Sequence, residues 1–313
     1  MTFRLIDGLA NIPDECRGCV VTIGNFDGVH VGHQAILRAA RQVADAAAAP
    51  LAAMTFEPPA GAVLAPDHRL TCILPMDTRH RLLAEAGADA VIAVNTTPEF
   101  LAIPAADFIR DVLIARLAVR HVVEGRDFCF GHHRRGNVNT LRAMSAEGGF
   151  GVTVVPPVRL VVPGHGNLRI SSSLIRQLIL AGEVAEAGLC LGRDYTLEGR
   201  VVGGEQRGRA LQFPTANIEP ADVITPSDGI YAARATLDGN TFPAAVSIGS
   251  RPTFGRNARA IEANLVGAEG DYYGQWMVLA FIDRLRDTIR FPDAESLREQ
   301  IAKDVERVRE LCR

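Results

Sequence analysis

The apolar run Cys19-Val-Val-Thr-Ile23 leads through Gly24-Asn25 into Phe26-Asp-Gly-Val-His-Val-Gly-His33, and a helical pattern follows at once, with Ile36, Leu37, Ala40, Val43, Ala44 and Ala47 recurring at helical spacing. This order constrains the fold more than any other stretch, because strand, turn and helix in succession form the repeating unit of a parallel α/β sheet. The turn lies where the strand ends and the helix begins. Free N–H groups and the helix dipole favour an anion there, and glycines let the backbone approach it closely. His30 and His33, with Gly32 between them, add imidazole donors aimed at phosphate oxygens. The octapeptide therefore reads as a nucleotide triphosphate site rather than as a surface turn or half of a metal site.

The alternation continues to about Ala187. Strands are expected at Leu51–Phe56, Ala90–Val94, His121–Glu124 and Val152–Val155, and helices at Asp77–Ala86, Pro104–Leu117, Val138–Ala146 and Ser172–Ala181. With the first strand these predict a five-strand, doubly wound, Rossmann-like parallel sheet whose ligands lie beyond the carboxyl ends of the strands. From Arg193 the texture changes. Thr196–Val202, Tyr231–Thr236, Ala244–Ile248, Ile261–Val266 and Trp276–Ile282 are short strands separated by Gly, Pro, Asn and Asp, as in a small antiparallel barrel. Asp293 is placed to cap a terminal helix with Leu297, Ile301, Val305 and Val308 as its buried stripe. The length of 313 residues favours two domains, drawn at 1–187 and 188–313 with the boundary near Gly188 to Gly192.

A net charge of −3 argues against a dedicated nucleic-acid binder. No apolar run approaches the roughly 18 residues of a membrane span, and the first residues lack the pattern of a signal peptide. A cytoplasmic protein with no membrane partner is expected. The six scattered cysteines do not form a disulfide framework. Cys16-Arg-Gly-Cys19 has no second pair to complete a zinc site and leads into a strand, not a helix.

Three further loops of the first half carry chemistry. Gly125-Arg-Asp-Phe-Cys-Phe-Gly131 offers Asp127 and an aromatic face, Phe128 or Phe130, to a flat ligand. Ile170-Ser-Ser-Ser-Leu-Ile-Arg176 opens a helix with hydroxyls and an arginine one turn on, an anion cradle. Phe56-Glu-Pro-Pro59 follows the second strand and can line the same crevice. In the second half, the basic glycine-rich loop Gly203–Arg209 can fold over phosphates. Thr215 and Asn217, two apart after Pro214, can offer two oxygens to Mg²⁺ on one face.

Together these motifs resemble the bifunctional bacterial riboflavin kinase/FMN adenylyltransferase (FAD synthetase) family over nearly the whole length. Its adenylyltransferase module belongs to the HIGH-containing nucleotidyltransferases and is matched by Gly24–His33, Gly125–Gly131 and Ile170–Arg176. Its kinase module is matched by the 203–209 loop, Pro214-Thr-Ala-Asn217, Gly229-Ile-Tyr231, Ile248-Gly-Ser-Arg-Pro-Thr-Phe254 and Ile261-Glu262. The resemblance implies Glu262 as general base for riboflavin phosphorylation, with Thr215 and Asn217 on Mg²⁺ and Gly203, Arg207 and Gly208 on ATP. For FAD formation it implies His30, His33 and Arg176 as catalytic groups and Gly24, Asn25, Phe26, Asp27, Ser172 and Ser173 around ATP. Phe56, Pro58, Asp127, Phe128, Glu262 and Arg286 would contact flavin. Riboflavin, FMN and ATP would be the small-molecule substrates and FMN and FAD the products, in a monomer or weak homo-oligomer. The chain departs from the family pattern at Pro59, which replaces a histidine, at Gln212, which replaces a glycine, at Asp77-Thr-Arg-His80, where a lysine is common, and at Ala263-Asn264 after Glu262. A kinase with weakened adenylyl transfer and a flavin-binding sensor are the alternative readings.

Overall fold

The computed structural model describes residues 3–65, 71–203, 215–250, 259–268, 270 and 272–313. The chain divides into two compact units. One comprises Met1–Leu70, Met76–Leu160 and Asn167–Ile170; the other comprises Thr71–Pro75, Val161–Gly166 and Ser171–Arg313.

The first unit is built on six parallel strands: β1 (Arg4–Asp7), β2 (Val20–Ile23), β3 (Leu51–Glu57), β4 (Ala90–Asn95), β5 (His121–Gly125) and β6 (Gly151–Val155). They lie in the order β1-β4-β3-β2-β5-β6. The apolar runs of β2, β3 and β4 are buried almost throughout, as strands covered on both faces must be. The five expected strands are all present, and β1 adds a sixth at the edge. Only Ile6 of its four residues is buried, so Arg4-Leu-Ile-Asp7 carries neither an apolar run nor an alternation to betray a strand. Helix α1 (Val31–Ala46) turns Leu37, Ala40 and Ala44 inward. Helix α2 (Met76–Glu85) connects β3 towards β4, and α3 (Val138–Gly148) precedes β6. The helix expected over Pro104–Leu117 opens as Ala105–Asp107 and continues as a wider π-helix, Phe108–Arg116.

Strand order reverses at β2: β3 and β4 lie to one side, β5 and β6 to the other. Pairing between β2 and β5 extends only over Val20↔His121 and Val21↔Val122. Past that point Ile23 N–H donates to the buried Glu124 side chain at 2.6 Å. The carboxyl replaces the ladder partner that a parting sheet removes, and a buried N–H needs one. Burial pushes the Glu124 carboxyl well above its ordinary range, opposed by the N–H groups of Ile23 and Gly125. Its protonated form suits the fold, so its contribution is complete in acid and is lost as pH rises through the raised value. Glu124→Gln keeps the acceptor and removes the ionisation. Calorimetry should therefore find equal melting temperatures at about pH 4 and a mutant more stable than wild type at about pH 8. A difference independent of pH would exclude ionisation of Glu124 as its source.

The second unit carries a closed antiparallel barrel of six strands: β7 (Tyr195–Val202), β8 (Thr215–Pro220), β9 (Gly229–Leu237), β10 (Asn240–Ser250), β11 (Arg259–Leu265) and β12 (Trp276–Arg286). The order is β7-β8-β11-β10-β9-β12, with β12 closing on β7. Alternation sends Tyr195, Leu197, Tyr231, Val246, Ile248, Met277, Leu279 and Phe281 into the core, where Tyr231 meets Phe281 edge-on at 5.5 Å. The helix expected at Ser172–Ala181, α4, has those bounds. The stretch read as a boundary is itself helical: α5 (Val184–Leu191) runs through Gly188 and ends at Gly192 in the left-handed region. Val184, Ala187, Cys190 and Leu191 are its buried residues. The terminal helix α6 (Ala294–Leu311) is capped by Asp293, which accepts from Ser296 N–H at 2.7 Å. Val305 and Val308 are buried as expected, Leu297 and Ile301 half-buried, and Asp304 joins the inner face.

Candidate active sites

In the first unit the loop from Gly24 to His30 leaves β2 beside the reversal point of the sheet. Phe26, Gly28 and Val29 have φ values of 46°, 86° and 39°. Left-handed backbone is costly for Phe and more so for β-branched Val, so the surrounding structure must hold this turn. Phe26, Asp27 and His30 are buried. His30 is the N-cap of α1, and its Nδ1 accepts from His33 N–H at 3.3 Å. The two imidazoles stack at 3.6 Å and 15°, and Phe26 meets His33 edge-on at 5.3 Å. Gly32 leaves room for the stack: a Cβ there would meet the His30 ring at 3.0 Å and 3.1 Å, closer than ordinary contact. Burial lowers the His33 pKa well below the ordinary imidazole value, with further lowering from His30 and Arg79. The stack therefore presents a neutral His33, able to donate from a ring N–H without carrying charge.

Across the reversal point, Phe128 stacks on Phe130 at 5.3 Å and 15°. Phe130 belongs to the core and also packs against Phe108, whereas Phe128 is only half-buried. Of the two candidate aromatics, Phe128 is thus the one with a face to offer. Asp127 is exposed and paired with Arg169. Phe56, at the end of β3, packs against Phe100 at 6.0 Å. Glu57 beside it is hydrogen-bonded to the buried His80 of α2. Pro58 and Pro59 follow directly, Pro59 capping a short helix, Ala60–Leu64.

The first unit thus brings together Gly24, Asn25, Phe26, Asp27, His30 and His33, with Thr55 reaching the Asn25 carbonyl at 3.5 Å. Ser172, Ser173 and Arg176 lie on α4 in the second unit. There Ser171 is the N-cap, accepting from Leu174 N–H at 3.3 Å, and Arg176 Nε donates to the Thr71 carbonyl at 3.3 Å.

In the barrel, β8 and β11 pair Thr215 with Asn264 and Asn217 with Glu262. Directly opposed residues share a face, with Cβ atoms roughly 5 Å apart. A hydroxyl, two amides and a carboxylate therefore line one side of the two strands. The alternate positions Ile218, Ile261 and Ala263 are buried. This oxygen-rich donor set fits a hard divalent cation such as Mg²⁺. Among the described residues no cluster of three His, Cys, Asp or Glu side chains forms a separate metal site. Gly203 ends the described part of its loop; Arg207, Gly208, Gln212, Pro214 and the 251–254 stretch lie outside the described residues. Arg286 is held by Asp304 of α6 through contacts of 2.7 Å to 3.2 Å, with Gln300 also donating to Asp304 at 2.9 Å.

Sequence reasoning assigned no role to Arg79, Glu124 or Asp304. Each is a polar residue on the buried side of its element, where the apolar pattern alone gives no reason to look. The available signal was an ionisable residue occupying an inward position, as Asp304 does one residue before Val305.

Comparison with known proteins finds two modules in this order. The family model described as FAD synthetase matches residues 12–174, and that described as riboflavin kinase matches 191–312. A bifunctional riboflavin kinase/FMN adenylyltransferase of Escherichia coli (strain K12) is 34% identical over 305 residues, 96% of this chain and 95% of that protein. The protein of the same name from Pseudomonas fluorescens is 34% identical over 310 residues, 99% of this chain and 98% of its own. The Bacillus subtilis (strain 168) counterpart is 33% identical over 298 residues, 94% and 92% of the two chains. A crystal structure titled as a macrolide-efflux protein from Streptococcus pneumoniae superposes with a TM-score of 0.89 at 30% identity, covering 97% of this chain and 98% of that one. No helix among the described residues is long and apolar enough to cross a membrane. With both modules matched in order and relatives of one name aligned almost end to end, the chain belongs to the bifunctional riboflavin kinase/FMN adenylyltransferase family.

Proposed function

We infer that this chain makes FMN from riboflavin and then FAD from FMN, consuming one ATP in each step. The carrying observation is that relatives named for both activities match 94–99% of the chain, so neither half is without a counterpart.

In the kinase reaction, assigned to residues 188–313, the terminal ribityl hydroxyl attacks the γ-phosphorus of ATP and ADP leaves. Glu262 takes the hydroxyl proton as the new bond forms. The alignment of Asn217 with Glu262 supports this role, since it sets a phosphate-side amide beside the base. Thr215 and Asn217 would hold Mg²⁺, which when bound neutralises charge on the phosphates. Gly203, Arg207 and Gly208 supply the loop over ATP, and Arg286, fixed by Asp304, borders the flavin.

In the adenylyl transfer, assigned to residues 1–187, an FMN phosphate oxygen attacks the α-phosphorus of ATP and pyrophosphate leaves. FMN brings its own nucleophile, so orientation and charge stabilisation are the protein's task. His30 and His33 donate to the developing charge, and Ser172, Ser173 and Arg176 bind the departing phosphates. Gly24, Asn25, Phe26 and Asp27 shape the nucleotide side, and Phe56, Pro58, Asp127 and Phe128 the flavin side.

Incubation with riboflavin and excess MgATP, with the flavins resolved by chromatography, tests the reading. FAD should accumulate. FMN alone would leave only the kinase, and unchanged riboflavin would refute both reactions.

A further inference from the structure

Arg79, in α2, is fully buried. None of its three guanidinium nitrogens has a hydrogen-bond partner among the described residues. Its ion-pair partner is the buried Asp27 carboxylate, with Nη2 and Oδ1 3.6 Å apart. Burying a guanidinium in this way is expensive, and an apolar side chain of similar volume would often serve stability as well or better. Packing therefore does not account for the charge, and its position relative to the loop does.

Asp27 sits between Phe26 and Val29, the two side-chain-bearing residues of this loop whose backbone is forced to positive φ. An attraction to a rigid, packed helix at that residue opposes relaxation of the turn. The turn in turn delivers His30 to the N-cap of α1 and His33 to the stack. We propose that Arg79 is a positioning residue for adenylyl transfer, clamping Asp27 so that the strained loop holds the His30–His33 pair in register with the nucleotide phosphates. The same cation adds to the forces that keep His33 neutral, behind burial and His30. This proposal rests on the two-reaction reading above.

The test compares Arg79→Met and Arg79→Lys with wild type, supplying FMN and MgATP and following FAD by chromatography. Riboflavin phosphorylation is measured on the same preparations. Misplacing reacting groups by about 1 Å lowers rate by roughly 100-fold. R79M should accordingly lose about 100-fold in kcat for FAD formation with KM for FMN and ATP nearly unchanged. R79K should recover at least about a tenth of the wild-type kcat, and both variants should phosphorylate riboflavin normally. An R79M enzyme with wild-type kcat would overturn the proposal. So would a rise in KM at constant kcat, which marks a uniform binding group, or a joint fall of both activities, which marks a purely structural residue. Wild-type protein that makes no FAD from FMN would instead refute the reaction assignment itself.

Discussion

Glu262→Gln is expected to lower the rate of riboflavin phosphorylation by about 10²–10⁴-fold, the usual contribution of a positioned general base, which is the role proposed for Glu262. The amide is nearly isosteric, so the strand pairing with Asn217 and Ser247 survives and the loss is chemical. Adenylylation of supplied FMN continues at the wild-type rate, because β11 contributes nothing to the sheet of the first unit. The result is read by supplying riboflavin in one assay and FMN in a second. Equal losses in both assays from a folded mutant would mean that the two reactions do not have separate sites.

His30→Ala should give the opposite pattern, from the role proposed for His30 in adenylyl transfer. Loss of one preorganised donor to developing charge costs about 10²–10³-fold in kcat, here for FAD formation alone. The same substitution removes the N-cap of α1, an effect of about 1 kcal/mol that a thermal melt should register separately. His30→Asn distinguishes the two contributions. Asparagine restores a cap but not an imidazole, so stability should return while FAD formation does not. Normal FAD synthesis by His30→Ala would remove this histidine from the chemistry.

The architecture was largely legible because the central strands and their helices are long enough to show a period. Val20–Ile23, Leu51–Glu57 and Ala90–Asn95 are mainly apolar and buried over most of their length, and α4 announces both ends with serines and Gly182. Short elements escaped for the opposite reason. β1 buries one side chain, and β8 buries only Asn217 and Ile218 of its six residues. Helix α5 was not expected from the sequence, where Gly188 to Gly192 marked a domain boundary; Gly188 lies within the helix and Gly192 ends it. Candidate site residues were visible where they stand in compact motifs, as His30 and His33 do. Asp27–Arg79 and Ile23–Glu124 were not, because each joins residues far apart in sequence, and only the fold makes them neighbours.

The pairing of β8 with β11 has a consequence for how the kinase half can fail. A slip of one residue would turn Glu262 and Asn264 toward the barrel interior and bring Ile261, Ala263 and Leu265 to the outer side. A shifted ladder would place a carboxylate among apolar side chains, and the shifted state is heavily penalised. The arrangement proposed for catalysis and the hydrophobic core are thus two faces of one alignment. Damage that loosens the barrel should produce a mixture of fully active and inactive molecules, not a population of uniformly slower enzymes.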